Sequence, residues 1–353
     1  MSALQYKPTI ETTMQRLAAF WSKELVDRPP IRIRYPVPGM SDEQWPKAGV
    51  DPVELYEYWD NLCRLRADFA DDEIPALQLD MGPGFMGGVM GSRVWYDHGT
   101  TWSEHSLSDL SALDELAAVS VAEGNSWIER LVNAAGFFGK KSAGKCAVAV
   151  AMLTGPGDVM TALRGPGELC TDLFENPAGM RRLAEICTAA LEDTARIQFD
   201  SVPSYNGGYV DNYNIWTPGR SAYFADDFSI LLSAEQYREF FYPYDCRTAE
   251  IFNTPWLHVH SGGARLVPEF RTIPGLRAIQ IVNDRPAGPT VSELLPIFKL
   301  IQQQHCLLLR KYSREELEQV LPELSPYGLY VDTQADSEEQ AWQILEWWNR
   351  RWS

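Results

Sequence analysis

The chain has 353 residues, 45% of them apolar and 22% charged. That balance supplies a sizeable buried core and excludes wholesale disorder. Asp and Glu outnumber Lys and Arg by 48 to 31, a net charge of −17. This argues against nucleic acid or an anionic membrane as the main partner, because both need a basic footprint. No apolar run approaches the ~20 residues of a membrane span, and the first residues lack the charged and apolar regions of a secretion signal. The six cysteines show no CxxC spacing. They are expected to be reduced thiols of a cytoplasmic protein.

Residues 9–26 read as a helix, because Met14, Leu17, Ala18, Trp21 and Leu25 recur at helical spacing. The Asp-Arg-Pro-Pro of 27–30 stops it. Residues 31–35 alternate like a strand, and 52–69 form a second helix with Leu55, Trp59, Leu62 and Leu65 on one face. From Pro75 onward, short apolar runs alternate with amphipathic stretches, the pattern of parallel strands covered by helices. Strands are expected at 76–80, 146–152, 222–226, 256–260, 278–282, 306–309 and 328–332. Helices are expected over 176–198, 234–252, 291–304, 313–321 and 337–350. With 31–35 this makes eight strands, which suits an α/β fold of the (β/α)8 TIM-barrel type with an N-terminal helical extension. Residues 1–70 then supply the first helices and first strand, and 71–353 the rest of the barrel. Two irregular stretches, 82–109 and 201–223, are expected to be functional loops. Trp342, Leu345, Trp348 and Trp352 make a packing stripe on the last helix, against the barrel or a second copy in a homodimer.

In such a barrel the site forms at the C-terminal strand ends. The run 256–260 carries His258 and His260. Residues i and i+2 of a strand share a face, so both imidazoles point into the barrel mouth. Neutral imidazole is a metal ligand, and the pair supplies two of the three protein ligands of an open zinc site. Strand-end carboxylates at Asp80, Asp227 and Asp332 offer the third. Asp332 is assigned to the metal, and Asp80, Asp227 and His258 to catalysis. The alternative is a buried, hydrogen-bonded histidine beside one that binds substrate. Asn212, Tyr213 and Trp216 lie in a stretch rich in aromatics and amides, suited to a polar planar ligand or to a self-packed loop. Gln280 joins them at a strand end, and Arg164 and Arg310 could hold a substrate carboxylate. Residues 82–87 match GxGxxG, but Pro83 removes a backbone N–H that a phosphate would need. That segment is expected to be a loop over the mouth. No GxSxG elbow and no P-loop occurs.

The stretch Leu-Thr-Gly-Pro-Gly-Asp-Val-Met-Thr-Ala-Leu-Arg-Gly at 153–165, followed by Leu-Phe-Glu-Asn-Pro at 173–177, resembles the uroporphyrinogen decarboxylase superfamily. So do Asp-Asp-Phe-Ser-Ile-Leu-Leu-Ser at 226–233, Tyr-Pro-Tyr at 242–244 and His-x-His-Ser-Gly-Gly at 258–263. The resemblance covers roughly residues 50–345 in element order and implies a (β/α)8 barrel. That superfamily holds cofactor-free porphyrinogen decarboxylases and zinc-dependent corrinoid:thiol methyltransferases. The methyltransferases use H-x-C and a later Cys; here His260 stands in place of the first Cys, and residues 330–333 hold no Cys. Asp80 falls where the decarboxylases carry their catalytic aspartate, but their Arg-rich segment is only echoed at 28–34 and their late Gly-His-Gly is missing. Three functions follow. The first is a zinc-dependent methyltransferase or demethylase acting on a small-molecule substrate with a corrinoid on a partner protein. The second is a metal-free decarboxylase, a carboxy-lyase using Asp80. The third is a non-catalytic ligand-binding barrel.

Overall fold

The computed structural model describes residues 3–40, 51–97, 100–119, 121 and 123–352; residues 98 and 99 of the 82–109 stretch and 41–50 lie outside them. The strands are β1 (Ile31–Arg34), β2 (Ala76–Gln78), β3 (Val94–Asp97), β4 (Thr100–Ser103), β5 (Ala147–Ala149) and β6 (Gly208–Val210). They continue with β7 (Trp216–Pro218), β8 (Tyr223–Ala225), β9 (Trp256–His260), β10 (Ala278–Val282), β11 (Cys306–Arg310) and β12 (Leu329–Gln334). Helices follow the strands as the alternating pattern requires, among them Pro156–Arg164, Pro177–Ser201, Val291–Gln302 and Glu338–Trp352. The fold is α/β, built on a six-stranded parallel sheet in the order β1-β12-β11-β10-β9-β8.

A second sheet, β2-β5-β6-β7, is parallel except for its last pair. The inner faces of both sheets contribute to one apolar cluster: Ala76 and Ala149 from one, Trp256, Ala278, Leu308 and Tyr330 from the other. The helix Ile10–Trp21 closes this interior with Met14, Leu17 and Phe20, and Trp21 Nε1 donates to the carbonyl of Trp216 at 2.8 Å.

The closed eight-stranded ladder expected from the sequence is not found among the described residues, and both seams show why. Beside β1, carboxylates take the places of ladder carbonyls. Ile31 N donates to Asp72 Oδ2 at 2.9 Å and Ile33 N to Asp71 Oδ2 at 3.0 Å. At the other seam β7 ends in Pro218, which has no N–H to donate, and whose carbonyl accepts from Thr254 Oγ1 at 2.8 Å.

Both irregular stretches hold regular structure. In the first, β3 and β4 form an antiparallel hairpin seated on the short helix Phe85–Val89. The glycines of 82–87 serve that seating. Gly82 has φ +75°, and a Cβ there would collide with Thr101; a Cβ on Gly87 would collide with Ser103. They admit the hairpin rather than a phosphate. In the second stretch lie β6 and β7. The tryptophan stripe packs as expected at its centre: Trp348 is fully buried and its Nε1 donates to the Pro29 carbonyl at 2.9 Å. Trp342 remains 42% exposed. All six cysteines are free thiols.

Candidate metal centre

Strand alternation places Trp256, His258 and His260 on the inner face of β9. Register then supplies their neighbours. Gln280 of β10 lies opposite His258, and Val282 opposite His260. Gln280 Oε1 therefore accepts from His258 Nδ1 at 2.5 Å. Two residues beyond Val282, Asp284 Oδ1 accepts from His260 Nδ1 at 2.7 Å. Its Oδ2 accepts from Ser261 N at 2.7 Å and Ser261 Oγ at 2.9 Å. On the other side, Ala225 of β8 lies opposite His258, which brings Asp227 up to the ring pair.

In the tautomer that donates from Nδ1 to Gln280 or Asp284, each ring presents its Nε2 lone pair to a metal. Both converge on one carboxylate oxygen: Asp227 Oδ1 stands 3.9 Å from His258 Nε2 and 3.7 Å from His260 Nε2. One donor atom from each of the three residues lies within 4.8 Å of the other two. Zinc bonds of 2.0–2.1 Å in a tetrahedron give edges of roughly 3.3 Å, so the donors, 3.7 and 3.9 Å apart on two edges and within 4.8 Å on the third, would have to close up on a bound zinc. Two imidazoles, one carboxylate and an open side match the ligand types of a catalytic zinc site. The donor set fits the metal.

Burial pushes His258 down to about 3; the Gln280 hydrogen bond offsets part of this, and the nearby Arg310 charge adds to it. The ring is neutral at physiological pH, as a ligand must be. Burial by the cavity wall raises the Asp227 carboxyl, although half its side chain is exposed, and His260 counters part of that rise. Burial also pushes Asp284 up, but hydrogen bonds from His260 and Ser261 outweigh it and hold the carboxylate low. Asp284 thus stays charged and fixes the His260 ring.

Two expected results follow. His258→Gln should flatten the acid limb of stability in chelator-treated protein. Between about pH 6.5 and 3 the unfolded chain takes up a proton that the folded chain refuses. Stability from this source is complete above about pH 6.5 and is lost as pH falls. The melting temperature of the variant should therefore drop less steeply over that window; parallel curves would show that His258 is not held neutral. Gln280→Leu leaves the Nε2 ligand in place but removes its support, and should weaken zinc binding by roughly 10–100-fold. Competition with a chromophoric chelator measures this, and an unchanged affinity would remove Gln280 from the site.

The remaining sequence candidates divide. Asp332 is not at the histidines. It is buried among Arg34 (3.0 Å), Arg310 (3.0 Å) and Arg32 (3.8 Å), and these guanidiniums outweigh its burial to hold it below the usual carboxylate range. Three arginines have first claim on it, and it is Asp227 that stands beside the two histidines as the candidate third donor. Arg164 is spent on Asp172 at 2.7 Å and on the carbonyls of Leu107 and Ser108. It anchors helices instead of offering itself to a substrate. Trp216 is a core residue whose Nε1 donates to the Tyr205 carbonyl at 2.8 Å. Asp80 accepts from Gly82 N at 2.9 Å and Asn212 Nδ2 at 3.3 Å, and burial raises its carboxyl. Arg310 lies 3.8 Å over the Tyr213 ring, and the Tyr213 hydroxyl is 3.4 Å from His258 Nδ1.

A cavity of ≈ 550 Å³ opens beside His258 and Asp227. Its walls include Trp102, Met152, Tyr213, Tyr223 and Phe228. Tyr213 and Tyr223 are stacked, with centroids 4.6 Å apart and planes 6° from parallel. Sequence reasoning missed Tyr223; it placed Asp284 only as a strand-end acid after Gln280, and Trp102 only within a loop that could cover a substrate, which is where it lines the cavity. The position of Tyr223 depends on which elements meet at the mouth.

No family model matches the chain, and no curated protein matches it. Among solved structures, a methyltransferase from Methanosarcina mazei superposes with a TM-score of 0.66 over 96% of this chain and 98% of that one, at 13% sequence identity. At that identity the likeness is one of fold.

Proposed function

We propose that the protein is a zinc-dependent methyltransferase or demethylase whose metal is held by His258, His260 and Asp227. The single observation that carries this reading is the convergence of two Nε2 lone pairs on one carboxylate oxygen at the wall of a ligand-sized cavity. The shared fold with a methyltransferase is in keeping with it. We also propose that the two sheets are arcs of one barrel of the uroporphyrinogen decarboxylase type, formed by residues 1–353 as one domain. The methyl carrier on the other side of the transfer is a corrinoid bound to a partner protein.

When bound, zinc supplies a Lewis acid that acidifies a thiol or polarises an ether at the open side of the site. The chain's own residues do the rest. Gln280 and Asp284 hold the two rings in the tautomer that presents Nε2. Asp227 completes the donor set and balances charge. The aromatic walls exclude water from the open side and orient the methyl-bearing group toward it. The decarboxylation reading gains no comparable observation: Asp80 is tied to Gly82 and Asn212.

The test is methyl transfer between methylcobalamin and 2-mercaptoethanol, followed by the loss of the methyl-cobalt absorbance. Zinc-loaded protein should turn over and chelator-treated protein should not. Equal rates with and without metal, or no transfer by the loaded protein, would overturn the reading.

A further inference from the structure

The Thr-Gly-Pro-Gly-Asp stretch at 154–158 contributes no donor to the group of Asp227, His258 and His260, yet it is moulded to the segment that carries Asp227. Thr154 turns the chain into helix Pro156–Arg164 with φ +51°, a left-handed value that a β-branched residue rarely adopts. Gly155 then lies flat against β8: a Cβ there would collide with the Ala225 carbonyl. A Cβ on Gly157 would stand 3.2 Å from the Phe241 ring and 3.4 Å from Asp226 Oδ1. The two glycines let the start of the helix close directly onto residues 225 and 226.

That contact brings up Asp158. Its Oδ1 accepts from Phe228 N at 3.1 Å, and the Asp227 N–H faces the same carboxyl group. These are the opening N–H groups of the short helical turn Asp227–Leu231, which find no acceptor within their own turn. Asp226 sits at the cap position, where an aspartate ordinarily accepts from them, but it makes no such bond. Its side chain is buried and turned toward Asp245. Asp158 caps the turn in its place, from another element. Only an acceptor is needed for this. Burial, and the neighbouring Asp227 and Asp226 carboxylates, push Asp158 well above the usual carboxyl range, and the protonated group still offers a carbonyl oxygen.

We propose that Asp158 is a positioning residue of the metal centre: it fixes the backbone at Asp227 and Phe228 so that Asp227 Oδ1 stays beside both Nε2 atoms. The inference rests on the zinc reading of His258, His260 and Asp227. Asp158 donates nothing to the metal and acts through Asp227, while Thr154, Gly155 and Gly157 bring it to the turn. The clamp matters because the Asp227 side chain is 49% exposed and its own packing restrains it weakly.

Competition for zinc with a chromophoric chelator tests this on the full chain, in the wild type, Asp158→Ala, Asp227→Ala and the double variant. Asp158→Ala should weaken zinc binding roughly ten-fold. In the Asp227→Ala background the same substitution should change nothing further, because residues that act through one another are not additive. Asp158→Asn keeps the acceptor and should stay within about two-fold of the wild type. Thermal unfolding of the chelator-treated proteins checks that each is folded; Asp158→Ser, one bond shorter than the reach to the turn, takes the place of the alanine variant if that one is not. An unchanged affinity in Asp158→Ala, an equal loss in both backgrounds, or a loss in Asp158→Asn as large as in Asp158→Ala would overturn the proposal. Wild-type protein that takes up no zinc would overturn the metal reading and the proposal with it, and the wild-type titration tells that failure from the others.

Discussion

Replacing His260 by alanine should lower zinc affinity on the order of 10²–10³-fold, as expected when one of three protein donors is lost from a site whose binding energy they share. The fold should survive, because the His260 ring is 39% exposed and its partner Asp284 retains two hydrogen bonds from Ser261. His258→Ala should have the same effect on the metal with a larger cost in stability, since that ring is buried and would leave Gln280 without its partner. Asp227→Asn tests the third donor: it keeps the shape and removes the charge. Asp332→Asn serves as the contrast. It should leave zinc affinity unchanged and destabilise the chain, because Asp332 answers to arginines. Equal effects of the two substitutions on zinc would contradict the assignment of Asp227.

The largest loss of stability is expected at the seam beside β1. Asp72 is fully buried, accepts from Arg28, Arg16 and the backbone N–H of Ile31, and stands where a neighbouring strand's carbonyl would otherwise stand. Asp72→Ala would strand the Arg28 guanidinium, itself 4% exposed, and one ladder donor. Removing one partner of a buried ion pair costs about 3–5 kcal/mol, and urea unfolding should show a loss of unfolding free energy of that order. A loss below about 1 kcal/mol, the range of exposed pairs, would mean that the seam is wet and that Asp72 does not hold the two sheets together.

Much of this was legible in the residues. Strands β9, β10, β11 and β12 lie within a residue or two of their expected bounds, because a parallel strand buried on both faces is written as a largely apolar run, broken here only by the few polar residues that face the interior. The HxH spacing fixed the common face of the two rings for the same reason that any strand alternates. Boundaries shrank where runs were mixed: the expected 146–152 is only Ala147–Ala149 in the structure, although Val150 N still donates to the Val210 carbonyl of β6 at 2.8 Å. Helix Ser126–Lys141 went unmarked, as did the β3–β4 hairpin. The hairpin's Trp-Tyr-Asp and Thr-Trp segments look like loop when read without the glycine-lined bed beneath them.

The third donor shows the limit most clearly. Asp80, Asp227 and Asp332 are equivalent as strand-end acids in the sequence. What separates them is long-range: three arginines, two of them on β1, capture Asp332, and Asn212 and Gly82 capture Asp80. Even the adjacent pair Asp226 and Asp227 divides. Asp226 turns into the core beside Asp245, where burial pushes its carboxyl well up, and Asp227 faces the cavity. Such choices are made by partners distant in sequence, and one chain's local pattern does not encode them.

Elemental analysis of full-length protein purified in chelator-free buffer bears directly on whether these side chains form a metal site. One zinc per chain, absent from the His258→Ala/His260→Ala double variant, is the result expected. Protein that carries essentially no transition metal, and takes up none when titrated with zinc, would contradict it.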